Sequence, residues 1–168
     1  MSGKIKLLVM DVDGVLTGGE LPYFAAGDKF KTFHVQDGLA IRLWIEAGGA
    51  AAIISGRESP AVVTRARDLG ISFVEQGVTE KGSAFDAACR EFGVVPSEAA
   101  VIGDDLPELS LMRRCGYPIA VANAAAVVKR AARYVTRRSG GAGGVAEAIE
   151  RLLRHNDAWS QVLTRWQA

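Results

Sequence analysis

The chain has 168 residues, 49% of them hydrophobic and 23% charged, a balance that buries an ordinary core and excludes a disordered or fibrous protein. Twenty lysines and arginines against nineteen acids leave a formal net charge of +1, so no overall field recruits nucleic acid or an anionic membrane. Two cysteines, Cys89 and Cys115, make no disulfide framework, and no apolar run has the length of a membrane span or signal peptide. A cytoplasmic protein of one domain, residues 1–168, is expected.

In chain order, apolar runs at residues 5–10, 50–54, 71–74, 100–102 and 119–121 read as strands, and their unbroken hydrophobicity suits a parallel sheet covered on both faces. Segments of helical period separate them. Asp37 can cap a helix that stops at Gly48, and Ser59 before Pro60 opens one that ends at Gly70. Thr79 can cap the next, closed by Gly93, and Pro107 sits in the first turn of another that ends at Gly116. Between the first strand and first helix, LPYF and KFKTFHV flank a turn and predict a β-hairpin insertion at about residues 20–35. SGGAGG, residues 139–144, reads as a flexible loop, and residues 156–168 as a C-terminal tail. The alternation predicts a three-layer, Rossmann-like α/β fold with right-handed crossovers. Its ligand site should lie at the C-terminal strand ends.

Chemistry gathers at those ends. The first strand runs out into Asp11 and Asp13, the second into Ser55, Gly56 and Arg57, and the fourth into Gly103, Asp104 and Asp105, while Lys81 opens a helix. Crowded carboxylates need a cation, and hard oxygen ligation suits Mg²⁺ with water and a substrate phosphate. Ser55, backbone N–H groups near Gly56 and Lys81 can hold that phosphate. Asp11, nearer the sheet, suits in-line attack on phosphorus, whereas Asp13 suits proton transfer to the leaving alcohol and from water. Lys81 would stabilise the transferring phosphoryl oxygens.

DVDGVLTGG, SGR, Lys81 and GDD, in this order, resemble the four motifs of the haloacid dehalogenase superfamily of phosphatases. The hairpin, KTFHVQDGLAIRLW, DLGISFVEQGVTEK, VIGDDLPEL and YVTRRSGGAGG are similar to the 3-deoxy-D-manno-octulosonate 8-phosphate phosphatases across nearly the whole chain. That resemblance implies Mg²⁺ held by the carboxylates of Asp11 and Asp104 and the backbone carbonyl of Asp13. It implies that Asp105 orients the metal's surroundings and Lys81, that Ser55 and Gly56 bind phosphate, and that Thr17 and Arg57 are candidate substrate contacts. It further implies a phosphorylated sugar-acid substrate, and a homotetramer whose hairpins cover the active sites of neighbouring subunits in place of a cap.

Some positions depart from that pattern. Gly18 stands where relatives usually carry an acid, and Ala142 and Ala146 stand where they usually carry basic residues directed at the carboxylate of the sugar acid. The substrate is therefore open between the eight-carbon phosphate and other choices: a sialic-type 9-phosphate, which Glu58 after SGR supports, or the role of a phenylphosphate carboxylase small subunit. A non-catalytic assembly module is a further alternative, one that the complete acid and lysine set argues against. Arg65 and Arg67 are expected to solvate a helix face, Trp44 to be core, His34 to pack, His155 to serve a helix end, and Trp159 and Trp166 to pack on the domain or a neighbour.

Overall fold

The computed structural model describes residues 3–23 and 30–166. Its strands are β1 (Leu7–Met10), β2 (Ala50–Ile54), β3 (Phe73–Glu75), β4 (Ala99–Gly103), β5 (Tyr117–Ala120) and β6 (Tyr134–Val135). They form one all-parallel sheet in the order β3-β2-β1-β4-β5-β6. The first five fall on the expected runs with shifted ends. The sixth went unread because two residues are too few to make a period.

Apolar continuity explains the layering. All four residues of β1 are buried, and β1 pairs with β2 and β4 so that Leu7 lies opposite both Ala50 and Ala99. Alanines in these neighbours leave room for large side chains from the helices above and below. Trp44 is one of these, wholly buried and donating from Nε1 to the Ala50 carbonyl at 2.7 Å. Gly49 permits that approach, since a Cβ there would stand 2.2 Å from the indole ring.

The helices are α1 (Val35–Glu46), α2 (Pro60–Leu69), α3 (Lys81–Glu91), α4 (Leu109–Met112), α5 (Ala126–Ala131), α6 (Gly144–His155) and α7 (Trp159–Thr164). Helix α1 lies against α6 and α2, and α3 packs on α4, which meets α5. Right-handed crossovers put these two sets on opposite faces of the sheet. Ser59, Pro60 and Gly70 bound α2 as expected, with Gly70 in the left-handed conformation at φ 77°. By contrast, Glu80 rather than Thr79 precedes α3.

Asp37 corrects a second cap. It sits inside the first turn of α1, which starts after His34, and its buried carboxylate turns across to α6. There it accepts from the backbone N–H of Ala146 at 2.8 Å and of Gly143 at 3.3 Å. An acid expected to begin its own helix thus caps another, and so ties the two together. Burial pushes the Asp37 pKa up, against the pull of these N–H groups.

Of the predicted hairpin, the turn, residues 24–29, lies outside the described residues, and residues 20–23 and 30–34 are not assigned to strands. Leu21, Tyr23 and Phe30 are exposed, and a two-stranded arm without an apolar face to cover it is only marginally stable alone. The glycine-rich loop at 139–144 is not loose. Gly140 is buried against the Gly14 carbonyl, and Gly141 N–H donates to the Val15 carbonyl at 3.0 Å.

The remaining expectations are simpler. Cys89 is buried and Cys115 half-buried, both as thiols. Arg65 stacks over Phe33 at 5.7 Å, joining α2 to the segment before α1, rather than only solvating a helix face. His155 meets the edge of Tyr117 near the end of α6, and Trp159 packs under Arg154. No helix among the described residues is long and apolar enough to cross a membrane.

Candidate active site

From β1 the chain winds outward to β2 and β3, then returns to β4 on the other side and continues outward to β6. The crevice that such a reversal leaves lies beyond the C-terminal ends of β1 and β4. Asp11 and Asp13 follow β1, and Asp104 and Asp105 follow β4. Beyond β1 the chain makes a wide turn closed by Thr17 N–H to the Val12 carbonyl at 3.0 Å, with Gly14 at φ 89°. Only glycine fits there on two grounds. Its φ is left-handed, and a Cβ would fall 2.0 Å from Asp104 Oδ2.

Asp11 is buried with Lys81, the first residue of α3. Lys81 Nζ lies 2.5 Å from Asp11 Oδ1 and 2.5 Å from Glu108 Oε1. Burial raises the Asp11 pKa to about 6, Lys81 opposes the rise and Glu108 adds to it. Asp104 goes to about 7, through burial first and then repulsion from Asp11, Glu108 and Asp105. Burial also acts to lower the Lys81 pKa, but Asp11 and Glu108 overcome it and hold the ammonium above the usual lysine range. The site therefore carries more negative charge than its lysine neutralises.

A divalent cation fits that excess. Carboxylate oxygens of Asp11, Asp104 and Glu108 lie within 4.8 Å of one another, a hard all-oxygen donor set of the kind Mg²⁺ takes. Both Glu108 oxygens are already used, Oε1 on Lys81 and Oε2 accepting from Asp105 N–H at 3.2 Å. Of the three, Asp11 and Asp104 are the carboxylates with an oxygen still to offer a cation. The resemblance implied that Asp105 orients the metal's surroundings and Lys81. Instead Asp105 Oδ1 accepts from Leu106 N–H at 2.8 Å, capping the short turn that brings Glu108 back to the lysine. Glu108 was missed although its signal was present: an acid three residues after a capping aspartate is the spacing of a capping box.

Asp13 faces the other way. Its carboxylate pairs with Lys31, and Arg57 Nε approaches the second oxygen at 3.8 Å. Arg57 and Gly56 line a cleft of about 680 Å³ together with Lys31, Tyr23, Phe30 and Glu58. Buried Ser55 closes the inner end of this region, its hydroxyl accepting from Arg57 N–H at 3.3 Å. Thr17 belongs elsewhere. It is buried and its hydroxyl donates to the Val12 carbonyl at 3.2 Å, so it closes the turn instead of reaching into the cleft. Ala142 is exposed on the glycine loop, and Ala146 presents its N–H to Asp37.

Known proteins are similar to this chain over most of its length. Residues 57–149 match the haloacid dehalogenase-like hydrolase family. The chain is 41% identical over 151 residues to the 3-deoxy-D-manno-octulosonate 8-phosphate phosphatase of Haemophilus influenzae, covering 90% of this chain and 84% of that one. The structure of the Moraxella catarrhalis phosphatase of that name, in complex with magnesium, phosphate and KDO, superimposes with a TM-score of 0.94 at 38% identity, over 97% of this chain and 94% of that one. The cobalt-bound Haemophilus influenzae enzyme gives 0.91 at 37% identity, over 96% and 97%. The chain belongs to the haloacid dehalogenase-like hydrolase family.

Proposed function

We propose that this protein is a Mg²⁺-dependent phosphatase whose substrate is 3-deoxy-D-manno-octulosonate 8-phosphate. The observation that carries the reading is the division of labour around β1: Asp11 is buried on Lys81 beside Asp104, while Asp13 pairs with Lys31 and Arg57, two residues that line an open cleft. Asp11 and Asp104, with the Asp13 backbone carbonyl, would hold the Mg²⁺. When bound, the ion neutralises the acids and the phosphate charge, so that Asp11 reacts as a carboxylate despite its burial.

An Asp11 oxygen attacks phosphorus and the bond to the ester oxygen breaks. Asp13, protonated, gives its proton to the departing alkoxide and becomes a carboxylate. That carboxylate then takes a proton from water, whose oxygen attacks the aspartyl-phosphate, releasing inorganic phosphate and restoring Asp11. Lys81 stabilises the phosphoryl oxygens, and Ser55 with the backbone at Gly56 positions them. Lys31 and Arg57 supply cations where a sugar acid would lie.

As a single domain without a cap, the enzyme would rely on the segment at 20–35 of neighbouring subunits to close its cleft, in a cytoplasmic homotetramer that serves lipopolysaccharide assembly. Glu58 lines the cleft and favours a sialic-type 9-phosphate as the second choice. Phosphate release with Mg²⁺ and with EDTA, over the eight-carbon 8-phosphate, a nine-carbon 9-phosphate, phenylphosphate and hexose phosphates, tests the reading. Mg²⁺-dependent preference for the eight-carbon substrate is expected. Preference for another member changes the substrate, and no turnover of any would leave a non-catalytic module.

A further inference from the structure

Beyond β5 the chain delivers one more polar side chain to this edge of the sheet. Asn123 Nδ2 donates to the Gly14 carbonyl at 3.1 Å, and its Oδ1 accepts from Gly140 N–H at 2.7 Å. We propose that Asn123 is a positioning residue for phosphoryl transfer, clamping the loop that carries Asp11 and Asp13 onto the glycine loop at 139–144. The proposal rests on the phosphatase reading above.

The amide suits the task because one head group holds both a donor and an acceptor. Gly14 offers a carbonyl and Gly140 an N–H, so a single orientation of the amide satisfies both. The two backbones lie too close for side chains between them. A Cβ on Gly140 would fall 1.8 Å from the Gly14 carbonyl oxygen, and one on Gly141 would fall 2.3 Å from Gly18 N. Gly141 N–H adds its bond to the Val15 carbonyl. At its far end the glycine loop is fixed by Asp37, through Gly143 and Ala146.

Gly14 is thereby gripped from two directions. Asp104 occupies the space where its side chain would be, and Asn123 holds its carbonyl. This residue directly follows Asp13, whose carboxylate turns to Lys31 and Arg57 while that of Asp11 faces inward to Lys81. Loosening the grip would displace both carboxylates and the Asp13 carbonyl by fractions of an ångström. Errors of that size act on rate more than on substrate binding.

The test compares Asn123→Leu, Asn123→Asp and Gly140→Ala with the wild type, using p-nitrophenyl phosphate and the eight-carbon substrate. Calorimetric Mn²⁺ affinity and Tm are read alongside. Asn123→Leu should lower kcat about tenfold to a hundredfold with KM within roughly twofold, and weaken Mn²⁺ binding by about tenfold. Asn123→Asp, which keeps the acceptor for Gly140 but loses the donor to Gly14, should recover only part of the lost rate. Gly140→Ala, which crowds the same carbonyl from the other side, should reproduce the Leu phenotype. An Asn123→Leu enzyme with kcat within twofold of wild type overturns the proposal. So does a loss that follows Tm in all three variants with metal affinity unchanged, since that is a purely structural role. A wild type inactive on every phosphomonoester removes the phosphatase reading and this inference with it, whereas an active wild type with insensitive variants removes the inference alone.

Discussion

Asp11 and Asp13 are one residue apart and belong to different regions of the molecule. Asp11 looks into the sheet edge, where burial lifts its pKa to about 6 and a buried lysine answers its charge. Asp13 looks the other way, where Lys31 and Arg57 face it from the segment before α1 and the loop after β2. Depth and partners separate them: Asp11 is buried on Lys81, whereas Asp13 is half-buried between Lys31 and Arg57. The comparison teaches how two chemically identical groups at one strand end come to differ in environment, and on the function proposed above that difference suits one to be nucleophile inside and the other proton carrier outside.

The sharpest way to break the inner region is Asp11→Asn. It preserves size and leaves Lys81 bonded to Glu108, so the fold and its Tm should survive while turnover falls by about a thousandfold or more. Residual activity near wild type would remove the aspartyl-phosphate route. Glu108→Gln comes next. The amide still reaches Lys81, but the lysine loses half of its buried counter-charge and leans on Asp11 alone. A kcat lowered roughly tenfold to a hundredfold is expected on p-nitrophenyl phosphate as well as on the sugar acid, because the defect lies at phosphorus.

The outer region is broken more gently. Lys31→Met removes one of the two cations facing Asp13 from a partly open cleft, so KM for a sugar-acid phosphate should rise about tenfold. A neutral hexose phosphate should be affected less. An equal rise for both would assign Lys31 to the phosphate itself rather than to the remainder of the substrate.

What could be read in advance follows the same division between inside and outside. The buried strands were legible because a parallel sheet enforces unbroken apolar runs, and the gathering of Asp11 and Asp104 at one sheet edge because a strand end punctuated by glycine is a local signal. Contacts distant in sequence were not legible. Asp37 looked like a cap for its own helix, since nothing local says that α6 will pack against it. Asn123 carried no motif at all, and its partners Gly14 and Gly140 are brought together only by the sheet order. The glycine loop looked flexible because its glycines signal freedom in a sequence, whereas here they signal contact between two backbones.

The smallest effect distinguishes the inner acids as a pair, through pH. Asp11 and Asp104 bind protons more tightly in the folded chain, at about 6 and about 7, than in the unfolded chain near 3.8. Between those limits the native state holds more protons than the unfolded one, so the stability of metal-free protein must fall as pH rises. The contribution is whole below pH 3.8 and is lost as pH passes through 6 and 7. Thermal melts in EDTA should therefore show Tm dropping by several degrees from pH 5 to pH 8, given roughly 2–4 °C per kcal/mol for a chain of this size. Mg²⁺ binds the ionised pair and should reverse the slope, adding most to Tm at pH 8 and little at pH 5. Asp104→Asn removes the group with the larger shift and should flatten both curves. A metal-free Tm that stays level across this range would mean that the two acids do not share a buried site, and the contrast with Asp13 would lose its physical basis.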